Sequence, residues 1–159
     1  NLIKNSNSKI IGYIGIAEDV THIKQGELKI QEYVNLIDKN IITSSTDLNG
    51  RIIYTSKAFC DISGYTKDEL IGKNHSIVRH PDMPKAAFKS LWDTVQRGEI
   101  WTGYVKNSVK GGGFYWVYAT VYPFETCDGS KGYLSCRRKP SKEEIAEHDA
   151  LYKEWKRSE

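Results

Sequence analysis

The chain has 159 residues, enough for one domain with a single core of moderate size. Its 39% hydrophobic and 27% charged residues place it among ordinary soluble globular proteins. The net charge of +3 is spread out with no dense basic stripe, which argues against nucleic acid; no apolar run approaches the ~20 residues of a membrane span, and nothing at the start reads as a signal peptide.

Lys9 to Glu18 is β-branched and aromatic with two glycines, which predicts a short strand. Asp19 and Thr21 can cap a helix from about Val20 to Lys39. In it Ile23, Ile30 and Ile37 recur every seven residues, beside Tyr33 and Val34. The stripe suits either a coiled-coil seam or packing on the domain that follows. From Ile42 to Leu48 and from Arg51 to Thr55 the pattern turns to strands, and Asn49-Gly50 predicts a two-residue type I′ hairpin turn between them. Short helices follow at Lys57 to Ile62 and Lys67 to Leu70, each ended by a glycine. Pro84 to Gln96 predicts a longer helix with Pro near its start and Gly98 past its end. Strands are expected at Ile100 to Asn107, Phe114 to Phe124 and Lys131 to Arg138. Ser141 with Glu144 forms a capping box for a last helix ending near Arg157. Two strands, several short helices, three strands and flanking helices make an α+β fold: a five-stranded antiparallel sheet with short helices on one face.

Cys60, Cys127 and Cys136 are odd in number and form no CxxC pair, so neither a zinc site nor a disulfide framework follows. They are expected to be reduced thiols in a cytoplasmic protein, two of them on strands. No GxSxG, HExxH, P-loop or GxGxxG occurs, and Glu143, Glu144 and Glu147 form a solvated helix face. No catalysis is therefore expected.

The order of elements resembles the PAS fold. Phe59-Cys60-Asp61-Ile62-Ser63-Gly64-Tyr65, followed by Glu69-Leu70-Ile71-Gly72-Lys73, is similar to the stretch that PAS domains carry after their second strand. Ile77-Val78-Arg79-His80-Pro81-Asp82-Met83-Pro84-Lys85-Ala86-Ala87-Phe88 is a sharper match. With Trp101 to Asn107, Tyr115-Trp116-Val117 and Leu151-Tyr152-Lys153, it resembles the FAD-binding PAS domains of bacterial aerotaxis receptors. The likeness covers roughly residues 41 to 155. Gly12 to Thr21, ending in Asp-x-Thr, resembles the last strand of a different PAS domain. The resemblance therefore implies a remnant of an upstream module at 1–19, a helical linker at 20–40, a PAS domain at 41–140 and a C-terminal helix at 141–159.

The resemblance implies FAD as cofactor and assigns Arg79, His80 and Asp82 to its surroundings. Arg79 carries a planar fork suited to phosphate or to stacking. The residues alone allow a plainer account, in which Pro81, Asp82 and Pro84 start a helix with Asp82 as its cap. Trp101 and Asn107, six apart on one strand, face one side of the sheet. The indole can wall a flavin ring and the amide can pair with its pyrimidine edge. Tyr115 and Trp116 open the adjacent strand, and only one of them can point inward. These aromatics suit a cross-strand ladder equally well, and Phe88 is core in either account. Ser56 stands where the aerotaxis family has an asparagine, so one cofactor contact there is lost or replaced by water. Gly72-Lys73-Asn74-His75 resembles the GxNC motif of LOV photoreceptors with histidine at the cysteine position, which leaves no thiol there for a flavin adduct.

The expected function is a cytoplasmic sensor that binds FAD and reports redox state or oxygen supply to a downstream output domain. Dimerisation through the flanking helices is expected. Two rivals remain: a cofactor-free PAS module for dimerisation and relay, and a haem sensor using His75 or His80.

Overall fold

The computed structural model describes residues 12–158. The chain forms two units, one ending at Ile37 and the other beginning at Asp38. Among the described residues the first unit consists of most of helix α1 (Gly12–Asn40). The strand expected at residues 9–18 is not found: from Gly12 onward the chain is helical, and residues 9–11 lie outside the described residues. A lone strand leaves its backbone N–H and C=O groups without a ladder, whereas a helix pairs them internally. Ile23, Ile30 and Ile37 are exposed on α1.

In the second unit, strands β1 (Ile42–Asp47), β2 (Ile52–Thr55), β3 (Trp101–Ser108), β4 (Phe114–Glu125) and β5 (Lys131–Arg138) form one antiparallel sheet in the order β2-β1-β5-β4-β3. Helices α2 (Lys57–Ser63), α3 (Lys67–Leu70) and α4 (Lys85–Gln96), with a 3-10 turn at His75–Val78, connect β2 to β3. Helix α5 (Lys142–Arg157) follows β5, opened by the expected reciprocal capping of Ser141 and Glu144.

Three local expectations are corrected. The Gly50 N–H donates to Asp47 O at 3.1 Å, so Leu48 and Asn49 are the central turn residues. Gly50, at φ 75°, follows them in the left-handed region that favours glycine. The Asp47 carboxylate also accepts from the backbone N–H groups of Asn49 and Arg51 at 2.9 and 2.8 Å. That side chain, which a dipeptide signature ignores, shifts the turn by one residue. Asp82 does not cap α4. Pro84 holds the N-cap position without a side-chain bond, and Asp82 instead pairs with Lys106 at 2.6 Å. Of the cysteines, only Cys136 lies on a strand; Cys60 is on α2 and Cys127 is in the turn after β4.

The period-two alternation of the strands gives the sheet two distinct faces. Tyr104, Lys106, Trp116 and Tyr118 face α5, whose Tyr152 stacks on Trp116 with ring centroids 6.0 Å apart. Val105, Asn107, Val117, Ala119 and Val121 face the other way, toward α4 and the 3-10 turn. A second apolar cluster, Ile52, Phe59, Leu70 and Val78, secures α2 and α3 over the β2 end of the sheet.

Candidate functional site

A cavity opens between the second sheet face and the segment from Asn74 to Trp92. Its apolar walls come from Val105, Ala119 and Val121 on the sheet and from Phe88, Leu91 and Trp92 on α4. Trp101 closes one side. Its indole lies across Gly103, where an added Cβ would come within 2.4 Å of the ring carbons. The Trp-x-Gly spacing thus has a steric cause: only a glycine two residues on leaves the indole room to lie along the strand.

The polar lining is concentrated on β1, β5 and the 3-10 turn. Arg137 Nη2 donates to Ser44 Oγ at 3.0 Å and lies 2.9 Å from His75 Nε2. Ser44 Oγ is itself 3.1 Å from His75 Nε2. The guanidinium also lies over the Phe59 ring, 4.9 Å from its centroid. Arg137 is half-buried with its Nη1 enclosed, and burial lowers its pKa to about 10. Burial first, and the Arg137 charge second, push His75 down to about 3, so its ring is neutral at physiological pH.

Three buried polar atoms have no hydrogen-bond partner among the described residues: Arg137 Nη1, Ser135 Oγ and Tyr115 Oη. Arg137 and Ser135 line the cavity, and Tyr115 pairs across the ladder with the lining residue Asn107. Burial pushes the Tyr115 hydroxyl up to about 12, against the Arg137 charge and the Asn107 amide, which is close enough to the hydroxyl that Tyr115 is not open to a ligand. Buried polar groups are ordinarily paired, and each one left alone costs about 1–3 kcal/mol. The two that line the cavity, Arg137 Nη1 and Ser135 Oγ, mark a place prepared for another molecule's polar atoms.

The structure brings four of the eight sequence-predicted site residues to the cavity. Trp101, Asn107 and Phe88 line it, with Trp101 and Asn107 on the same face as the six-residue spacing requires. Arg79 lines its exposed rim, with its guanidinium carbon 3.6 Å from the Phe88 ring centroid and its backbone bridged to Asn107. Tyr115 stands behind Asn107. His80 and Asp82 are outside the lining: the His80 ring meets Phe114 edge-on at 5.7 Å, and Asp82 neutralises the buried Lys106.

Ser56 is also away from the cavity. Its hydroxyl accepts from the Thr43 and Phe59 N–H groups, both at 3.1 Å, and donates to Ile41 O at 2.9 Å. A hydroxyl has one donor and two acceptor positions, so none is left for a ligand.

Sequence reasoning missed Arg137, Ser135 and Ser44. The signal was present: Tyr133, Ser135 and Arg137 alternate along β5, placing a guanidinium on the same face as a core tyrosine.

A sheet of this order, with a cavity between its face and the β2–β3 connection, is the architecture of a PAS sensor domain, and the sequence model for the PAS fold matches residues 52–136. The chain belongs to the PAS fold family. It is 45% identical to the aerotaxis receptor of Escherichia coli over 123 residues, 77% of this chain and 24% of the receptor. It is 28% identical to the nitrogen fixation regulatory protein of Klebsiella oxytoca over 100 residues, 62% of this chain and 20% of that protein. The chain therefore spans about a quarter or less of these relatives. A solved light-oxygen-voltage domain, studied with a flavin analogue, superposes with a TM-score of 0.63 at 21% identity, covering 80% of this chain and 96% of that one. At that identity the likeness concerns the fold. No helix among the described residues is long and apolar enough to cross a membrane.

Proposed function

We propose that this chain is a cytoplasmic, non-catalytic PAS sensor that binds FAD in the cavity and reports redox state or oxygen supply to an output domain. The observation that carries it is the pairing of apolar and aromatic walls with unsatisfied buried polar atoms on one sheet face. A flavin has both chemistries, an apolar tricyclic body and a polar pyrimidine edge. Trp101 and Phe88 would flank the ring, Asn107 would pair with its edge, and Arg79 at the rim would meet the pyrophosphate. The flavin, when bound, supplies reversible electron uptake. The protein's part is to exclude water, orient the ring and convert a changed hydrogen-bond pattern at the sheet into movement of the flanking helices. His80 and Asp82 support this indirectly: Asp82 fixes Lys106, whose backbone N–H meets Met83 Sδ at 3.2 Å, and this ties the rim segment to the edge strand β3.

The haem alternative loses its ligand. His75 is the one histidine lining the cavity, and its Nε2 is held between Ser44 and Arg137. An absorption spectrum of the purified protein separates the readings. Flavin bands are expected, a Soret band would replace the proposal with a haem sensor, and a bare protein spectrum would favour a cofactor-free relay.

A dimer through α1 is part of this proposal, supported by the exposed Ile23, Ile30 and Ile37 repeating at the coiled-coil interval. Ile30→Glu places a charge in that seam and is expected to convert a dimer to a monomer in analytical ultracentrifugation. A sedimentation coefficient that Ile30→Glu leaves unchanged removes α1 from the interface.

A further inference from the structure

Arg137 lines the cavity with its Nη1 buried and has no carboxylate to answer it. No Asp or Glu lines the cavity, and the ion pairs among the described residues do not include Arg137. Its Nη2 meets only neutral groups, Ser44 Oγ and the His75 ring, while Nη1 is buried with no partner. An enclosed charge without a counter-ion is costly and leaves strong electrostatic potential in a low-dielectric pocket. The neighbouring imidazole, pressed to a pKa of about 3, does not compete as a cation. Burial lowers the guanidinium only to about 10, so Arg137 stays charged at neutral pH.

We propose that Arg137, braced by Ser44 and His75, is the redox-setting group of the flavin site and holds the negative charge that the ring acquires on reduction. This rests on the flavin reading above and adds a role to it. Two electrons from an external reductant and one proton from solvent leave the isoalloxazine with one negative charge. Arg137 Nη1 is the free donor placed to pair with that charge. The oxidised ring is neutral and gains only an ordinary hydrogen bond from the same donor. The guanidinium therefore binds the reduced form more tightly than the oxidised form, and linkage turns that difference into a raised reduction potential. Arg79 is separate: it lies on the exposed rim, on another element, where a phosphate in solvent would meet it.

The test compares the wild-type protein with Arg137→Gln and Arg137→Lys, each loaded with FAD and titrated with dithionite against a reference dye. Arg137→Gln keeps donors but removes the charge. It is expected to lose at least tenfold in preference for the reduced flavin, which for a two-electron couple lowers the midpoint by about 30 mV or more. Arg137→Lys keeps the charge and is expected to stay nearer the wild-type midpoint. Equal midpoints in wild type and Arg137→Gln would overturn the proposal, as would an Arg137→Lys midpoint equal to that of the Gln variant. If Arg137→Gln fails to fold, the comparison of Arg137→Lys with wild type decides: a fall of tenfold or more in the Lys variant's preference counts against the charge. Binding of oxidised riboflavin, which lacks phosphate, distinguishes the two possible anions. If Arg137→Gln weakens FAD but not riboflavin, the guanidinium serves the pyrophosphate and the redox role falls. A wild-type protein that takes up no flavin at all fails at the first step and refutes the functional reading itself.

Discussion

The two faces of one sheet are built on different rules. On the α5 face no buried polar side-chain atom among the described residues lacks a partner. Tyr104 Oη donates to Glu144 at 2.6 Å, Tyr152 Oη donates to Tyr104 O at 2.8 Å, Arg138 forks onto Glu144, and buried Lys106 meets Asp82. On the cavity face, Arg137 Nη1 and Ser135 Oγ are buried in the lining without partners and the guanidinium has no anion. The same alternation of side chains produces both faces, so strand geometry does not explain the difference. A face that holds an element in place is satisfied from within the chain; a face that binds a ligand leaves some of its polar groups for that ligand to satisfy. If so, substitutions on the two faces should separate stability from cofactor binding.

The largest expected effect lies on the α5 face. Tyr152 is buried, stacks on Trp116 and reaches Tyr104 O. Tyr152→Ala removes an aromatic ring from a packed site and should cost about 3–5 kcal/mol of stability. The fraction of folded protein carrying flavin should be unchanged. A denaturant titration gives the first quantity and the flavin-to-protein ratio the second. A Tyr152→Ala protein that remains stable but loses its flavin would erase the distinction between the faces.

On the cavity face the order reverses. Asn107→Ala should weaken flavin binding roughly five- to 150-fold, the equivalent of ~1–3 kcal/mol for an edge left unpaired. Lys153→Ala, which removes only an exposed partner of Asp149 on α5, serves as the control. Full flavin occupancy with an unaltered spectrum in Asn107→Ala would remove Asn107 from the site. Unfolding without prior loss of cofactor would make it a packing residue.

Much of this contrast was legible in the sequence, and what was not has a physical cause. The strands of the main sheet, α4 and the capping box of α5 come from signals local to a few residues: alternation, glycine punctuation and Ser141 with Glu144. Trp101 and Asn107 were placed on one face because six residues along a strand is an even number. His80, Asp82 and Ser56 were assigned to the cofactor by resemblance alone, and the structure gives each a different partner. The helix at Gly12 was missed because composition favours a strand there, while the availability of a partner strand is not a local property. Arg137 was missed for a related reason. An arginine near the end of a strand looks exposed until the pairing of β5 between β1 and β4 puts it in the middle of the sheet.

Titration should distinguish the faces as well. Folded His75 refuses a proton until about pH 3, while the unfolded residue takes one up below its ordinary value of 6.5. The unfolded state then binds more protons, so stability falls as pH drops through that window, by up to about 1.4 kcal/mol per unit. On the α5 face, the Arg138 guanidinium and Tyr104 hydroxyl hold the Glu144 carboxyl well below its usual range. Its contribution is present above the ordinary carboxylate value of 4.5 and is lost only as pH falls below it. Thermal melts between pH 6.5 and 4.5 should therefore report His75, and His75→Gln should flatten that part of the profile. An unchanged slope in the variant would contradict the neutral, enclosed imidazole described here.

The smallest effect expected concerns Ser56, where resemblance and geometry disagree most directly. Position 56 is the family's cofactor asparagine by analogy, yet here all three hydrogen-bonding positions of the hydroxyl are taken by Thr43, Phe59 and Ile41. Two of these bonds tie β1 to the start of α2, and the third caps the helix, whose Phe59 ring supports both His75 and Arg137. Ser56→Ala should therefore cost about 1–2 kcal/mol, the usual loss for an N-cap, without changing flavin affinity directly. Any effect on the cofactor would pass through Phe59 and appear as a shift in the Arg137-dependent midpoint at full occupancy. Ser56→Asn keeps the capping chemistry and should recover most of the lost stability. If Ser56→Asn instead tightens flavin binding while Ser56→Ala weakens it with no change in melting temperature, the side chain reaches the cofactor and the family's assignment holds for this chain.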